Sequence, residues 1–272
     1  MPNIRRCQGI NPQEAKTMGK LDGKVALITG AGSGMGRSMA VLFAHEGAKV
    51  VAGEWNAESL AAVVDEIKAA GGEVTGVQGN VAVQAEAEGL VDRAMAAYGR
   101  LDILVNNAGV MDLNQGIGEL SDAIWERVLG INLNGPMYIT RRAVPHMVAQ
   151  GGGAIVNIAS VAGLSGATAG VAYTTSKHGL IGLTRSTAWI YAQKGIRCNA
   201  ICPGGVETNI MASIDPTKMD PAGSARLQVF YNTMPGALKP IDIANTAVFL
   251  ASDEARYING QAIAADAGWM AT

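Results

Sequence analysis

The chain has 272 residues, 49% of them hydrophobic and 16% charged, which suits one large or two small globular units with a substantial core. A net charge of -2 gives no basic footprint for nucleic acid. Three cysteines (Cys7, Cys198, Cys202) form an odd set without metal-ligand spacing, which points to a reducing cytosol, and His45, His146 and His178 form no ligand motif.

Residues 1–20 are polar and aperiodic and read as an N-terminal extension. Arg5-Arg6 precede no apolar run, so an export signal is rejected. From Leu21 onward, strand patterns at 24–29, 49–52, 73–78, 101–105, 154–159, 196–201 and 261–265 alternate with helical ones. The helices are expected at 37–46, 57–70, 84–98, 121–149, 172–194 and 241–251, with Ser121 as an N-cap and Pro145 bending or restarting the long one. Glycines at 47, 71–72 and 195 stop helices. The stretch 147–176 has no charge, but Gly151-Gly152-Gly153 and Asn157 interrupt it, so it reads as a buried strand and a loop rather than a membrane span. The alternation predicts an α/β fold, a doubly wound and mostly parallel seven-stranded sheet with helices on both faces. No linker divides it, so 21–272 is expected to be one domain, with 206–240 irregular and carrying short helices.

Thr29 to Gly36 (TGAGSGMG) follows the first strand and opens the first helix. In that context the backbone N–H groups and the helix dipole attract a pyrophosphate. Gly30 allows the tight turn, while Gly34 and Gly36, with Ser33 and Met35 between and beside them, allow close approach. Glu54, followed by Trp55, lies just past the second strand, where a carboxylate accepts both ribose hydroxyls of NAD and repels the 2′-phosphate of NADP. Arg37 is the one nearby base that could meet such a phosphate, and a solvent-facing position is preferred for it.

Tyr173 and Lys177 are four residues apart and share one helical face. A free phenol titrates near ~10, and bringing it to about 7 needs roughly 4 kcal/mol of differential interaction. A fixed ammonium beside it is expected to supply part of that.

Further motifs fall in order along the chain. Asn106-Asn107-Ala108-Gly109 ends the fourth strand, Asn132 lies within Ile131-Asn132-Leu133-Asn134-Gly135, and Ser160 stands 13 residues before Tyr173. With Thr29-Gly30-x-x-x-Gly34-x-Gly36 and Tyr173-x-x-x-Lys177, these resemble the short-chain dehydrogenase/reductase family over roughly 21–272. The resemblance implies a single-domain Rossmann fold, a homotetramer, and an NAD-dependent oxidoreductase interconverting a secondary alcohol and a ketone. It implies Tyr173 as acid/base and Ser160 as the anchor of the substrate oxygen. Lys177 would lower the Tyr173 pKa and bind the nicotinamide ribose, and Asn132 would interrupt its helix and hold a relay water. Asn80, where the family usually has Asp, and Val81 would meet adenine. Asn107, Ala108 and Gly109 would lie against adenosine. Pro203, Gly204, Val206 and Thr208 would edge the nicotinamide.

Residues 206–240 are expected to form a lid, with Met211 from it and Met111 and Leu113 from the loop after the fourth strand facing a partly apolar substrate beside Ser160 and Tyr173. Two alternatives stand beside this. One is a 3-oxoacyl thioester reductase whose anionic carrier meets Arg226 or Lys239. The other is a non-catalytic dinucleotide-binding sensor or scaffold, against which the complete set Asn132, Ser160, Tyr173 and Lys177 weighs.

Overall fold

The computed structural model describes residues 19–271, so the expected extension at 1–20 lies outside the described residues except for Gly19 and Lys20. Seven strands form one sheet: β1 (Val25–Thr29), β2 (Lys49–Glu54), β3 (Val74–Gln78), β4 (Ile103–Asn106), β5 (Gly153–Ile158), β6 (Ile196–Pro203) and β7 (Ala262–Ala265). Their order is β3-β2-β1-β4-β5-β6-β7, and every pairing is parallel. Helices cover both faces, which is why the central strands read as near-continuous apolar runs. Alternate residues of one strand serve opposite cores. Ala26 and Ile28 pack with Met39 and Phe43 of α1 (Gly34–His45) and with Ile243 and Leu250 of α8 (Pro240–Ala251). Val25 and Leu27 pack with Leu90 of α3 (Gln84–Tyr98) and with Ile139 and Met147 of α5 (Gly135–Ala149). The second helix, α2 (Ala57–Ala69), joins the first core through Val63 and Ile67.

The strand order reverses between β1 and β4. In an open parallel sheet such a reversal opens a crevice at the carboxyl ends of the strands. A buried ladder fixes the registers beside it. Asn106 Nδ2 donates to Asn157 Oδ1 (2.8 Å) and to Thr140 Oγ1 (3.2 Å), and Asn157 Nδ2 donates to Thr184 Oγ1 (2.8 Å). Thr184 lies on α6 (Val171–Tyr191), so strands and helix share one polar line.

One helix differs from expectation. The pattern at 121–149 is α4 (Asp122–Leu129), a π-helical turn at Gly130–Asn134, and α5. Pro145 lies inside α5 without ending it, and the break comes at the π turn, where an extra residue per turn re-aims a side chain. That side chain is Asn132, fully buried. Between β6 and α8, residues 206–240 carry short 3-10 turns at Asn209–Ser213 and Pro216–Lys218 and the helix α7 (Pro221–Tyr231), capped by Asp220. No helix among the described residues is long and apolar enough to cross a membrane.

Asp102 ties the start of β4 to the start of β1. Its carboxylate accepts from Val25 N (2.9 Å) and from the Arg100 fork at 2.9 and 2.7 Å. Asp102→Ala leaves a buried amide unsatisfied, so urea denaturation should show a loss of about 2 kcal/mol.

Candidate active site

The crevice at the reversal is a cleft of about 640 Å³. The turn from β1 into α1 forms one wall, and Gly30, Ser33, Gly34 and Met35 line it. Gly30 (φ 63°) and Gly34 (φ 51°) are left-handed, a conformation glycine adopts without penalty. A Cβ on Gly30 would stand 2.9 Å from Ala108 Cα, so the turn and the end of β4 touch backbone to backbone. Gly36 is not part of the wall. It lies beneath the turn, where a Cβ would collide with the Gly30 carbonyl oxygen, and its role is to let α1 approach.

Thr29 stitches the two strand ends together. Its Oγ1 accepts from Asn107 N (3.0 Å) and Ala108 N (3.1 Å), while Asn107 Nδ2 donates to the Thr29 and Gly30 carbonyls at 2.9 and 3.2 Å. Asn107, Ala108 and Gly109 line the cleft as a result.

Glu54 is the last residue of β2 and is 8% exposed. Its Oε1 accepts from Trp55 N (2.9 Å) and Asn56 N (3.0 Å), and its Oε2 from Gly32 N (3.1 Å). Three amides hold this carboxylate on the cleft wall, with Trp55 exposed on the rim. Arg37 is committed elsewhere, in a two-pronged pair with Glu66 at 2.7 and 2.6 Å. Asn80 and Val81 line the cleft just past β3, with Asn80 Oδ1 accepting from Ala82 N (3.0 Å) in a local turn.

Helix α6 brings Tyr173 and Lys177 to the same cleft, 7% and 3% exposed. The Lys177 Nζ donates to the Ile158 carbonyl (2.9 Å) and stands 5.4 Å from the centre of the Tyr173 ring. The four-residue spacing therefore sets the ammonium against the ring. Burial pushes the Tyr173 phenol above its ordinary value, and the hydrogen bond with Ser160 pulls it back only in part. Burial also brings Lys177 down to about 8. The expected lowering of the phenol by its neighbour is thus not what the structure has, because desolvation outweighs the Ser160 hydroxyl and the charges of Tyr231 and Asp112 raise the phenol further.

Ser160 caps the turn at Val161–Gly163, accepting from Ala162 N (3.1 Å); it lies near enough to lower the phenol but does not line the cleft, whose wall here is Ile158 and Ala159. Asn132 braces the loop after β4. Its Oδ1 accepts from Val110 N (2.9 Å), and its Nδ2 donates to Val110 O (3.0 Å) and Ser176 Oγ (3.2 Å). A Cβ on Gly109 would stand 3.4 Å from Asn132 Oδ1 and 3.6 Å from Lys177 Nζ, so both groups flank that glycine.

Thr208 lines the cleft, but Pro203, Gly204 and Val206 do not. Backbone bonds Leu238 N to Gly205 O and Glu207 N to Leu238 O hold that strand end against residue 238, and Gly204 N bonds to Ala265 O. Met211 is 48% exposed, while its neighbours Ile210 and Ala212 face the cleft. Met111 also lies off the cleft wall, packing with Val110, Ala162 and Ala169 in the cluster around Tyr173, and Leu113 is buried nearby. Sequence reasoning missed Arg127, which lines the cleft and bonds to the Met111 and Ser213 carbonyls, joining two loops far apart in the chain.

The family model described as short chain dehydrogenase matches residues 24–219. The chain is 42% identical to 3beta-hydroxysteroid dehydrogenase 2 of Eggerthella lenta, over 95% of this chain and 99% of that one. It is 38% identical to the cyclohexanol dehydrogenase of an Acinetobacter species, over 92% and 96%. A Beutenbergia cavernae protein solved with NADP at low occupancy is 37% identical and superposes with a TM-score of 0.82, over 93% of this chain and 98% of that one.

Burying Lys177 carries a testable cost. Its folded value, about 8, lies below the ordinary 10.5, so the unfolded chain binds the extra proton between those limits and stability rises with pH across that window. Below pH 8 the full penalty is present. Lys177→Met should therefore be more stable than the parent by roughly 1–3 kcal/mol at pH 7, with the difference shrinking toward pH 10.5. Comparing the two proteins by urea denaturation cancels the opposing effect of Cys198, whose thiol burial pushes up to about 12, whereas Cys202, pushed up to about 11, feels the Lys177 charge and contributes to the difference.

Proposed function

The chain belongs to the short-chain dehydrogenase/reductase family and is an oxidoreductase acting on CH–OH groups, and we propose that it is NAD-linked, with Tyr173 moving the proton. The observation that carries the proposal is the sharing of one cleft by the glycine turn, Glu54, Tyr173 and Lys177.

The residues fit a nicotinamide dinucleotide. Gly30 leaves backbone bare against Ala108, the first turn of α1 offers free N–H groups, and the cleft runs from Glu54 to Lys177. Bound there, the dinucleotide supplies the acceptor or donor of hydride. The negative charge of Glu54 at the ribose end disfavours a 2′-phosphate, and the commitment of Arg37 to Glu66 removes the base that would offset it. Both support NAD over NADP.

In alcohol oxidation Tyr173 takes the hydroxyl proton, and in ketone reduction it gives one. Ser160 donates a hydrogen bond to the same oxygen. Lys177, near 8, exchanges a proton close to neutral pH and, with Asn132 across Gly109, offers the route by which the phenol is reset. The raised phenol favours the protonated acid in the resting protein, so oxidation should gain with rising pH.

Val110, Met111, Ala162 and Ala169 give the space around Tyr173 an apolar character that suits a partly apolar, cyclic secondary alcohol. Residues 206–240 are the proposed lid over it. An anionic carrier is less well served, since Arg226 and Lys239 are exposed and outside the cleft. We further propose a cytosolic homotetramer. Exposed Trp189, Ile190 and Tyr257 are apolar surface that such an assembly would cover.

Tyr173→Phe should bind NADH, followed by fluorescence, while turnover of cyclic secondary alcohols falls at least about a thousandfold. Full activity in that variant would remove Tyr173 from the mechanism. Turnover of the parent protein with NADP should be at least about tenfold poorer in kcat/KM than with NAD, and equal rates would overturn the role given to Glu54.

A further inference from the structure

Helix α6 begins at Gly170, which has no side chain to cap the first turn. The cap comes from another segment. Asp112, 1% exposed in the loop after β4, accepts from Gly170 N (3.3 Å) and Asn114 N (3.0 Å) through Oδ1, and from Tyr173 N (2.9 Å) through Oδ2. Gly170 is the N-cap position and Tyr173 the third helical residue, the two amides that a capping box satisfies with two side chains and that Asp112 satisfies alone. A Cβ on Gly170 would stand 2.6 and 2.8 Å from the two carboxylate oxygens, so the glycine makes room for the borrowed cap.

We infer that Asp112 is a positioning residue for proton transfer, holding Tyr173 by its backbone N–H and fixing the start of α6 against the substrate-side loop. The inference rests on the reading of Tyr173 as the acid/base. The same loop is anchored on the other side: Asp220 N donates to Leu113 O (2.9 Å), Asn114 Nδ2 to Ser224 Oγ (3.1 Å), and Val171 N to Gln115 O (3.0 Å). Residues 112–115 thus join α7, of the proposed lid, to the catalytic end of α6.

The position has an electrostatic consequence. The groups facing Tyr173 are Lys177 on its own helix, Ser160 after β5, Tyr231 on α7, Arg127 on α4, and Asp112. Asp112 is the carboxylate of that set, and its charge works against ionisation of the phenol. Neutralising it lets the phenol ionise at lower pH.

The test compares the parent, Tyr173→Phe, Asp112→Asn and Asp112→Glu by NADH binding and by the pH dependence of alcohol oxidation. D112N cannot accept the Tyr173 amide through its own NH₂ and carries no charge. It should bind NADH as the parent does, lose about tenfold or more in kcat, and show its pH midpoint moved to lower pH. D112E keeps the charge on a longer arm, so kcat should fall with the midpoint unmoved, which serves also if D112N fails to fold. Parental kcat and midpoint in both Asp112 variants, with Y173F inactive, would overturn the positioning role alone. An active Y173F would overturn the acid/base reading and this inference with it.

Discussion

A lysine ammonium held in the interior is the constraint around which the site is built. Lys177 is 3% exposed, and burial of an unpaired ammonium costs several kcal/mol unless its protons find partners. No carboxylate meets it among the described ion pairs. It has instead the Ile158 carbonyl at the end of β5, the face of Tyr173, and Asn132 beyond Gly109. Each of these is a polar group placed by backbone geometry. The end of β5 must come within reach of the ammonium, and a Cβ on residue 109 would sit in ordinary contact with both Asn132 Oδ1 and that ammonium, at 3.4 and 3.6 Å. The small residue at 163 follows from the same closeness, because a Cβ on Gly163 would stand 2.8 Å from the Lys177 carbonyl oxygen.

The dinucleotide-side wall is locked to this arrangement through β1 and β4. Thr29 holds Asn107 and Ala108, Asn132 holds Val110, and Arg127 holds Met111, so residues 107–111 are fixed one after another along the cleft. The ladder Asn106–Asn157–Thr184 continues the line beneath into α6. Buried polar networks of this kind rigidify through their paired members, and here the amide donors of Asn106 and Asn157 tie the strand ends to α6 while Asn106 Oδ1 stays without a partner.

The alternation of strands and helices was legible because fully buried parallel strands leave short apolar runs, and glycines mark where helices stop. The glycine turn and the Tyr173–Lys177 pair were legible because their spacing is local. What spacing does not contain is burial. The sign of the Tyr173 perturbation depends on burial among Val110, Ala162 and Ala169 and on the charges of Tyr231 and Asp112, which come from distant parts of the chain. Arg127 and Asp112 were invisible for the same reason, since each acts on backbone far away in sequence. An acidic residue three positions after Asn-Asn-Ala-Gly, in a loop whose other charge is Glu119, was the available hint for Asp112. The pattern at 121–149 places a bend or restart at Pro145, whereas the break comes at the π turn, because the apolar period survives that turn and the one-residue slip shows only in which way Asn132 points. Pro203, Gly204 and Val206 carried family-like spacing, but the bonds to Leu238 and Ala265 set them behind the cleft wall.

The start of α6 places two opposing fields on the phenol. The positive end of a helix dipole favours an anion within its first turn, and Tyr173 is the third residue of the helix. Left alone, that field would assist ionisation. Asp112 sits on the same amides and spends their hydrogen bonds and their field on its own carboxylate, so the phenol receives little of either. Burial then decides the outcome in favour of the neutral phenol, with Ser160 opposing. The phenol is thereby held toward its neutral, proton-bearing form. Lys177, drawn down to about 8 by its own burial, lies against the same ring, so desolvation holds both neighbours toward their neutral forms.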